Sequence, residues 1–195
     1  MAQFAEAESF ISNKLKNELS PKLTYHSYYH SIDVLEAALR IAENENVTGE
    51  PLALLRVAIM FHDSGFLHTY KDHEELGCAL VRKHLPDFEF TPEQIELICG
   101  MIMSTKIPQQ ASNVLQQIIC DADLDYLGRN DFYPIGLTLF EEWKQFLNIQ
   151  SEEEWNNIQL SFLRQHFYHT NYSRAKRQQL KQTHLEQIEK IVAAY

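Results

Sequence analysis

Several features that would assign the chain to a familiar class of protein are absent or scarce in its sequence. Glycine occurs only six times in 195 residues, and neither a glycine-rich phosphate loop nor a G-x-S-x-G turn is present. This argues against a P-loop nucleotide hydrolase and against a serine hydrolase. No run of about eighteen apolar residues occurs, so the sequence predicts no membrane-spanning helix.

Basic residues are also scarce, since 27 acids face 17 bases and the formal net charge is −10. Nucleic-acid binding needs a basic surface, so we expect no nucleic-acid partner. A small phosphorylated ligand remains compatible with this charge, because a metal ion and a few cations can supply local positive charge.

Cysteine is rare and carries no sign of metal or disulfide chemistry. Cys78, Cys99 and Cys120 lack C-x-x-C spacing and lie among apolar residues, which predicts reduced thiols in the core. The first nineteen residues contain acids and no small-residue cleavage site of a secretory signal. Together these features predict a cytoplasmic location.

Apolar residues recur with helical spacing along most of the chain, and strand-like alternation is rare. Hydrophobic residues make up 45% of the sequence, which is enough for a sizeable core. We find no linker, repeat or low-complexity segment, and we predict one all-α domain, a multi-helix bundle over residues 1–195. The predicted helices cover about residues 3–19, 27–46, 51–61, 72–85, a segment that begins after Thr91, 112–128, 131–148, 151–168 and 171–194.

The most informative motif is a His-Asp pair at the end of an apolar run. Residues 51–61 are apolar except for Arg56, and His62 and Asp63 follow directly. A helix that is apolar nearly all round is buried, and charge at its buried end is costly unless something neutralises it. A divalent metal ion bound by His and Asp would do so. A buried ion pair, or a helix end that faces solvent, is the alternative interpretation.

Two further motifs place metal-ligating side chains on other predicted helices. His30 opens the amphipathic second helix, ahead of the His-Asp pair, and Asp121, Asp123 and Asp125 lie within a later apolar helix. Four ligands from three helices can converge on one ion in the core of a bundle. The order His, His-Asp, Asp therefore predicts a metal site.

These motifs resemble the H…HD…D signature of the HD superfamily of metal-dependent phosphohydrolases. The flanking residues are similar as well: HSIDVLEAA from His30, RVAIMFHDSG around the His-Asp pair, and DADLDYLG from Asp121. The resemblance covers about residues 25–130 and leaves 131–195 as C-terminal helices. It implies an HD-domain bundle with a divalent metal cofactor, whose identity stays open among Mn, Fe, Mg, Ni, Co and Zn.

The resemblance also implies the roles of individual residues. His30, His62, Asp63 and Asp123 would bind the metal, and Asp63 would in addition orient a water molecule or move a proton as a catalytic residue. In the family the last ligand follows a small residue, which favours Asp123, after Ala122, over the alternative Asp121.

Residues around these motifs are predicted to contact substrate or to support the ligands. His73 begins HEELG, which resembles a motif whose His joins a second metal, but the later histidines of that motif are absent here. It is either a contact to substrate or metal-bound water, or an ordinary residue at a helix start. Lys106 would offset phosphate charge, and His26 would share a helix face with His30. The complete group is His26, His73, Lys106, Asp121 and Arg129.

We interpret the chain as a phosphohydrolase that cleaves a phosphate ester of a nucleotide or another small phosphorylated metabolite, with metal-activated water as the nucleophile. The substrate class is implied by the resemblance. Two alternatives stay open: a non-catalytic sensor or scaffold, and a di-iron oxygenase on the same fold, which would need additional His or Asp ligands. The mixed-charge segment 174–191 predicts either a solvated packing helix or a surface for homo-oligomerisation.

Overall fold

The computed structural model describes residues 2–195, and this part of the chain contains α-helices and short 3-10 helices but no strand. The all-α prediction is confirmed. Most helix bounds agree with the predicted ones within two residues, and within residues 2–195 no helix is long and apolar enough to cross a membrane. The α-helices are α1 Phe4–Glu18, α2 Tyr28–Asn44, α3 Gly49–His62, α4 His73–His84, α5 Pro92–Thr105, α6 Val114–Asp123, α7 Phe132–Phe146, α8 Glu152–Gln165 and α9 Asn171–Val192.

Polar side chains just before several helices explain where these helices begin. Thr91 accepts a hydrogen bond from the Gln94 amide while the Gln94 side chain accepts from the Thr91 amide, which completes a capping box before α5. Ser151 caps α8 by accepting a hydrogen bond from the Glu154 amide. The spacing of Ser151 and Glu154 is that of a capping box, but the Glu154 carboxylate accepts from the amide of Gln150, so the reciprocal half of the box is absent.

The sixth and eighth helices are shorter than the sequence predicted. α8 ends at Gln165, and α6 ends at Asp123, where a separate 3-10 helix Asp125–Gly128 replaces its predicted last turn. Tertiary contacts hold this turn against α9. Asp125 accepts hydrogen bonds of 2.7 and 3.0 Å from Arg177, and a Cβ atom at residue 128 would overlap the backbone of Arg177, so glycine is needed there.

The main core is built around α3, which packs against α1, α2, α4, α5 and α6. Its side chains from Val57 to His62 are all buried, as the apolar run predicted. The three cysteines are buried and unpaired, so the prediction of reduced core thiols is confirmed. Because α3 is enclosed on all sides, its carboxyl end delivers His62 and Asp63 into the interior of the bundle.

The C-terminal helices form a second apolar cluster beside the first. Leu160 and Leu163 of α8 and Ile188 of α9 pack there with Tyr25 and with the aromatic side chain of Phe132. α9 also packs along the 3-10 helix that follows α6 and touches α2. This arrangement places α7 and α8 over the helix ends that carry the His and Asp motifs.

Lys181 of α9 is an exception in this second region, because it is a charged side chain that is only 3% exposed. Its Nζ donates a hydrogen bond to the carbonyl oxygen of His166, directly after the carboxyl end of α8. The partial negative charge at a helix carboxyl end favours a cation. Burial nevertheless lowers the pKa of Lys181 from 10.5 to about 8.

This lowered pKa predicts a pH dependence of stability. Between pH 8 and 10.5 the unfolded chain holds the Lys181 proton and the folded chain does not, so stability rises with pH in that window. We expect the unfolding free energy of the wild type, relative to Lys181→Met, to increase between pH 8 and 10.5. Urea denaturation of both proteins at a series of pH values measures it. A pH-independent difference would contradict burial as the cause.

Candidate metal centre

The predicted ligand residues lie at the ends of three helices that pack against one another. His30 is in the first turn of α2, His62 is the last residue of α3 with Asp63 directly after it, and Asp123 is the last residue of α6. The carboxyl end of a helix carries partial negative charge. The carboxyl ends of α3 and α6 meet beside the carboxylates of Asp63 and Asp123. The negative potential at this position therefore favours a cation.

The distances among these side chains fit a single ion. Nε2 of His30 lies 3.1 Å from Oδ1 of Asp123 and 3.5 Å from Oδ2 of Asp63. Nε2 of His62 lies 3.2 Å from the same Asp63 oxygen and 3.6 Å from the same Asp123 oxygen. Metal bonds of about 2.1 Å place neighbouring ligand atoms about 3.0–3.4 Å apart. Ligand atoms of His30, His62 and Asp123 thus all lie within 4.8 Å of one another, as one coordination sphere requires, and Asp63 lies beside both histidines.

Two buried atoms of the cluster have no hydrogen-bond partner. His62 is 1% exposed and Asp63 6% exposed, yet Nε2 of His62 and Oδ2 of Asp63 are both unsatisfied. The other ring nitrogen of His62, Nδ1, lies 2.6 Å from the carbonyl oxygen of Ile59 and donates to it. This bond leaves Nε2 as the lone-pair nitrogen, which is the usual arrangement of a metal-bound histidine. The residues therefore fit a divalent metal ion.

The electrostatics of the cluster point the same way. Burial opposes protonation of His62, but the nearby negative charges of Asp63 and Asp123 raise its pKa well above the usual value. Burial likewise opposes ionisation of Asp63, yet the neighbouring His62 holds its pKa well below the usual range. The carboxylates of Asp63 and Asp123 have little contact with solvent and are stabilised by positive charge beside them. Either protons or a metal ion can supply that charge. A metal that binds here displaces protons.

His73 and His26 extend the cluster toward one side. Nε2 of His73 lies 3.4 Å from Oδ1 of Asp63, the oxygen that faces away from His30 and His62. The Phe66 ring packs against both imidazoles, with centroid distances of 4.2 Å to His26 and 4.0 Å to His73. A Cβ atom at Gly65 would overlap the carbonyl group of His73, so this glycine allows the start of α4 to approach the cluster.

Glu142 of α7 is a buried site residue that the sequence analysis missed. It is 0% exposed, and one carboxylate oxygen accepts from the amides of Tyr25 and His26 at 2.8 and 3.0 Å. The other accepts from the His26 ring and from the hydroxyl of Tyr70. Burial raises its pKa, but the hydrogen bond from His26 outweighs that effect, so the pKa is lowered and the group is a carboxylate. Its position three residues after Leu139 on an apolar helix face was a usable signal.

Asp121 is not brought to the cluster. Its two oxygens accept hydrogen bonds of 2.7 and 2.8 Å from the amides of His169 and Thr170, and a third of 2.7 Å from the Thr170 hydroxyl. Its carboxylate therefore anchors the loop between α8 and α9. Of the two candidate acids in this motif, the geometry places Asp123 at the cluster.

The two predicted cationic contacts also lie elsewhere. Arg129 pairs with Asp33 at 2.8 Å and with Asp131 at 2.6 Å, on the outer side of α2. Lys106 pairs with Asp72 at 3.2 Å and with Glu75 near the surface. Acidic neighbours therefore already neutralise both cations.

A cavity of about 260 Å³ opens beside the cluster. Asp63 and Asp123 form part of its wall, together with His26, His73 and Glu74. Half of the remaining lining residues are apolar side chains of α7 and α8. The cluster can therefore contact a molecule held in this cavity.

A bundle of α-helices with a His/Asp cluster at its helix ends defines the class as an all-α protein with a candidate metal site. The HD domain family model matches residues 27–125, just over half of the chain. The chain belongs to the HD-domain family. No curated protein sequence matches the chain.

Two solved structures have the same fold along almost the whole chain. One, from an uncultured Thermotogales bacterium, is described as a predicted HD superfamily hydrolase. It is 20% identical, with a TM-score of 0.61, and 97% of this chain and 91% of that chain are covered. The other, from Lactobacillus plantarum, is 14% identical with a TM-score of 0.68, and the coverage is 97% and 96%. At these identities the likeness concerns the fold alone, and it includes the C-terminal helices.

The different surroundings of the two acids predict opposite effects of removing their charge. We expect Asp123→Asn to weaken metal binding by at least about tenfold and to leave the fold intact. Asp121→Asn should keep the metal but lower the unfolding free energy by about 1–3 kcal/mol, because an amide cannot accept all three hydrogen bonds. Metal analysis and urea denaturation of both variants test this. Loss of metal in Asp121→Asn alone would reverse the assignment.

Proposed function

We propose that the protein is a metal-dependent phosphohydrolase that cleaves a phosphate ester of a small metabolite. The observation that carries the proposal is the pair of unsatisfied buried atoms, Nε2 of His62 and Oδ2 of Asp63. They lie within a His/Asp cluster that borders a cavity. His30 and Asp123 complete the proposed ligand set. Its mixed nitrogen and oxygen donors suit Mn, Fe, Co, Ni or Zn better than Mg, which prefers oxygen ligands alone.

When bound there, the metal would supply an activated water and a Lewis acid for the phosphoryl oxygen. Asp63 is the residue best placed to act on that water, because its two oxygens face different groups. Oδ2 faces His30 and His62, while Oδ1 faces His73 on the cavity side. A carboxylate in this position can hold the water by one oxygen and accept its proton.

His26 and His73 line the cavity beside Asp63 and are placed to contact the phosphate of a bound ester. The Phe66 ring packs against both imidazoles and limits their movement. Glu142 holds His26 from behind, through both its amide and its ring. We assign Glu142 as a positioning residue, because it acts on the site through His26.

The two other candidate functions predict different results for the same purified protein. A sensor or scaffold would bind the metal without turnover of any ester. A di-iron oxygenase would need a second ion, for which His73 and Glu74 are candidate further ligands. Nε2 of His73 lies 3.4 Å from Oδ1 of Asp63 and 3.6 Å from Oε1 of Glu74. It would consume oxygen in the presence of Fe(II).

The proposal predicts metal-dependent turnover that is lost with the cluster. We expect the purified protein to bind a transition metal and to hydrolyse a general ester such as p-nitrophenyl phosphate. Asp123→Asn should lower kcat/KM by at least about 100-fold, since the change removes a direct ligand. Elemental analysis, a phosphatase assay with each metal and an oxygen electrode measure these points. Stoichiometric metal without hydrolysis would favour the sensor, and oxygen uptake would favour the oxygenase.

The assignment of Glu142 gives a separate prediction with a neighbouring control. Glu142→Gln should lower kcat/KM by about 10–100-fold without loss of metal, because it weakens the hold on His26. Glu141→Gln, at a side chain that is 47% exposed, should have no effect. In a His26→Ala background the Glu142→Gln change should add little. If its effect is undiminished there, Glu142 does not act through His26.

A further inference from the structure

We propose that the cavity beside the metal centre holds an uncharged apolar group, aromatic or branched aliphatic, and that the substrate is a monoester joining this group to one phosphate. This inference rests on the proposed hydrolase function and narrows its substrate. It separates an apolar phosphate monoester from nucleoside polyphosphates and from polar sugar phosphates.

The cavity wall contains acidic side chains but no lysine or arginine. All the lining residues lie within the described part of the chain, and none of them is lysine or arginine. The acids in the wall are Asp63, Glu74 and Asp123. A metal ion bound by the cluster could offset one phosphate. A di- or triphosphate would bring further negative charge toward carboxylates with no fixed cation to receive it.

The position of Lys106 supports the same conclusion. Thr105 and Ile107, the residues on either side of it, line the cavity, whereas Lys106 does not. Its ammonium group instead pairs with Asp72 and Glu75 near the surface. The ammonium group of Lys106 is therefore paired outside the cavity.

The far wall is built for apolar contact. Trp143 and Trp155 meet edge to face there, with ring centroids 5.5 Å apart and an interplanar angle of 90°. Leu139 of α7 and Ile158 of α8 add aliphatic surface, and Gln159 is a polar exception. Aromatic side chains fixed against each other offer faces and edges on which another ring can pack. An ionic or heavily hydroxylated group would lose hydration there without gaining partners.

The size of the cavity limits the group that fits. A volume of about 260 Å³ lies just below the range of about 300–1,000 Å³ that is typical of small-molecule pockets. One ring or a short branched chain fits, with the phosphate at the Asp63 and Asp123 end. A complete nucleotide with several phosphates would exceed this space.

The first test measures binding of an apolar alcohol without turnover. Both tryptophans of the protein line the cavity, so the NMR signals of their indole N–H groups report on its occupant. We expect benzyl alcohol to shift both signals, in the wild type and in metal-free Asp123→Asn. Trp143→Phe and Trp155→Phe assign the two signals. If benzyl alcohol shifts neither signal, the proposal is overturned.

A matched pair of variants on α7 shows where the alcohol binds. Leu139→Asp places a charge in the cavity wall and should weaken benzyl alcohol binding by at least about tenfold. Leu137→Asp, on the same helix at a side chain that is 57% exposed, should leave binding unchanged. Ile158→Gln on the opposite wall serves if Leu139→Asp does not fold. Equal affinity in the wall variant and the Leu137→Asp control overturns the proposal.

Substrate selectivity then separates this inference from the proposed function. We expect kcat/KM for benzyl phosphate to exceed the values for glycerol 3-phosphate and for ATP by at least about tenfold each. Hydrolysis of all three at similar rates would sustain the hydrolase and overturn the apolar substrate class. If no ester is hydrolysed while benzyl alcohol still binds in the cavity, the hydrolase proposal fails and the assignment of the cavity to an apolar group stands.

Discussion

The structure depends on how the Asp63 and Asp123 carboxylates are accommodated at the meeting point of three helix ends. Asp63 is buried, and the side chain of Asp123 is only 17% exposed. Removal of two carboxylates from water is costly, and the carboxyl ends of α3 and α6 add negative potential at the same point. His30 and His62 stand against these acids at 3.1–3.6 Å. The enclosed position of α3 forces this arrangement, because an apolar helix packed on all sides can end only inside the bundle.

The C-terminal helices form a cavity beside this cluster. Without them His26 and the cavity side of Asp63 would face solvent. α7 supplies Glu142, which reaches the backbone and the ring of His26, and α7 and α8 together supply the aromatic wall. The family model ends at residue 125, so the candidate metal ligands lie within the matched part of the chain and most of the cavity wall lies beyond it. On this view the common part of the fold sets the chemistry, and the C-terminal helices select the substrate.

Two acids near the cluster do not belong to it because they hold the C-terminal part of the chain in place. Asp121 holds the loop before α9 through three hydrogen bonds, and Asp125 holds α9 through Arg177. In the run from Asp121 to Asp125 only the middle acid faces the cluster. Asp121 and Asp125 thus stabilise the fold, whereas Asp123 lies in the cluster. The three acids point in different directions because α6 ends at Asp123 and the chain changes direction there.

The sequence by itself determined the helical class, the positions of most helices, the reduced buried cysteines and the membership of the HD-domain family. These follow from apolar periodicity and from motifs whose residues are close in the chain. It also singled out His30, His62, Asp63 and Asp123, whose metal binding stays a prediction that the geometry supports. Only the tertiary structure decided the place of Glu142, the break after α6, and the pairing of Arg129 and Lys106 away from the cluster. These contacts join residues that are far apart in the chain: Glu142 meets a histidine 116 residues earlier, and an acid on an apolar helix face does not identify such a partner.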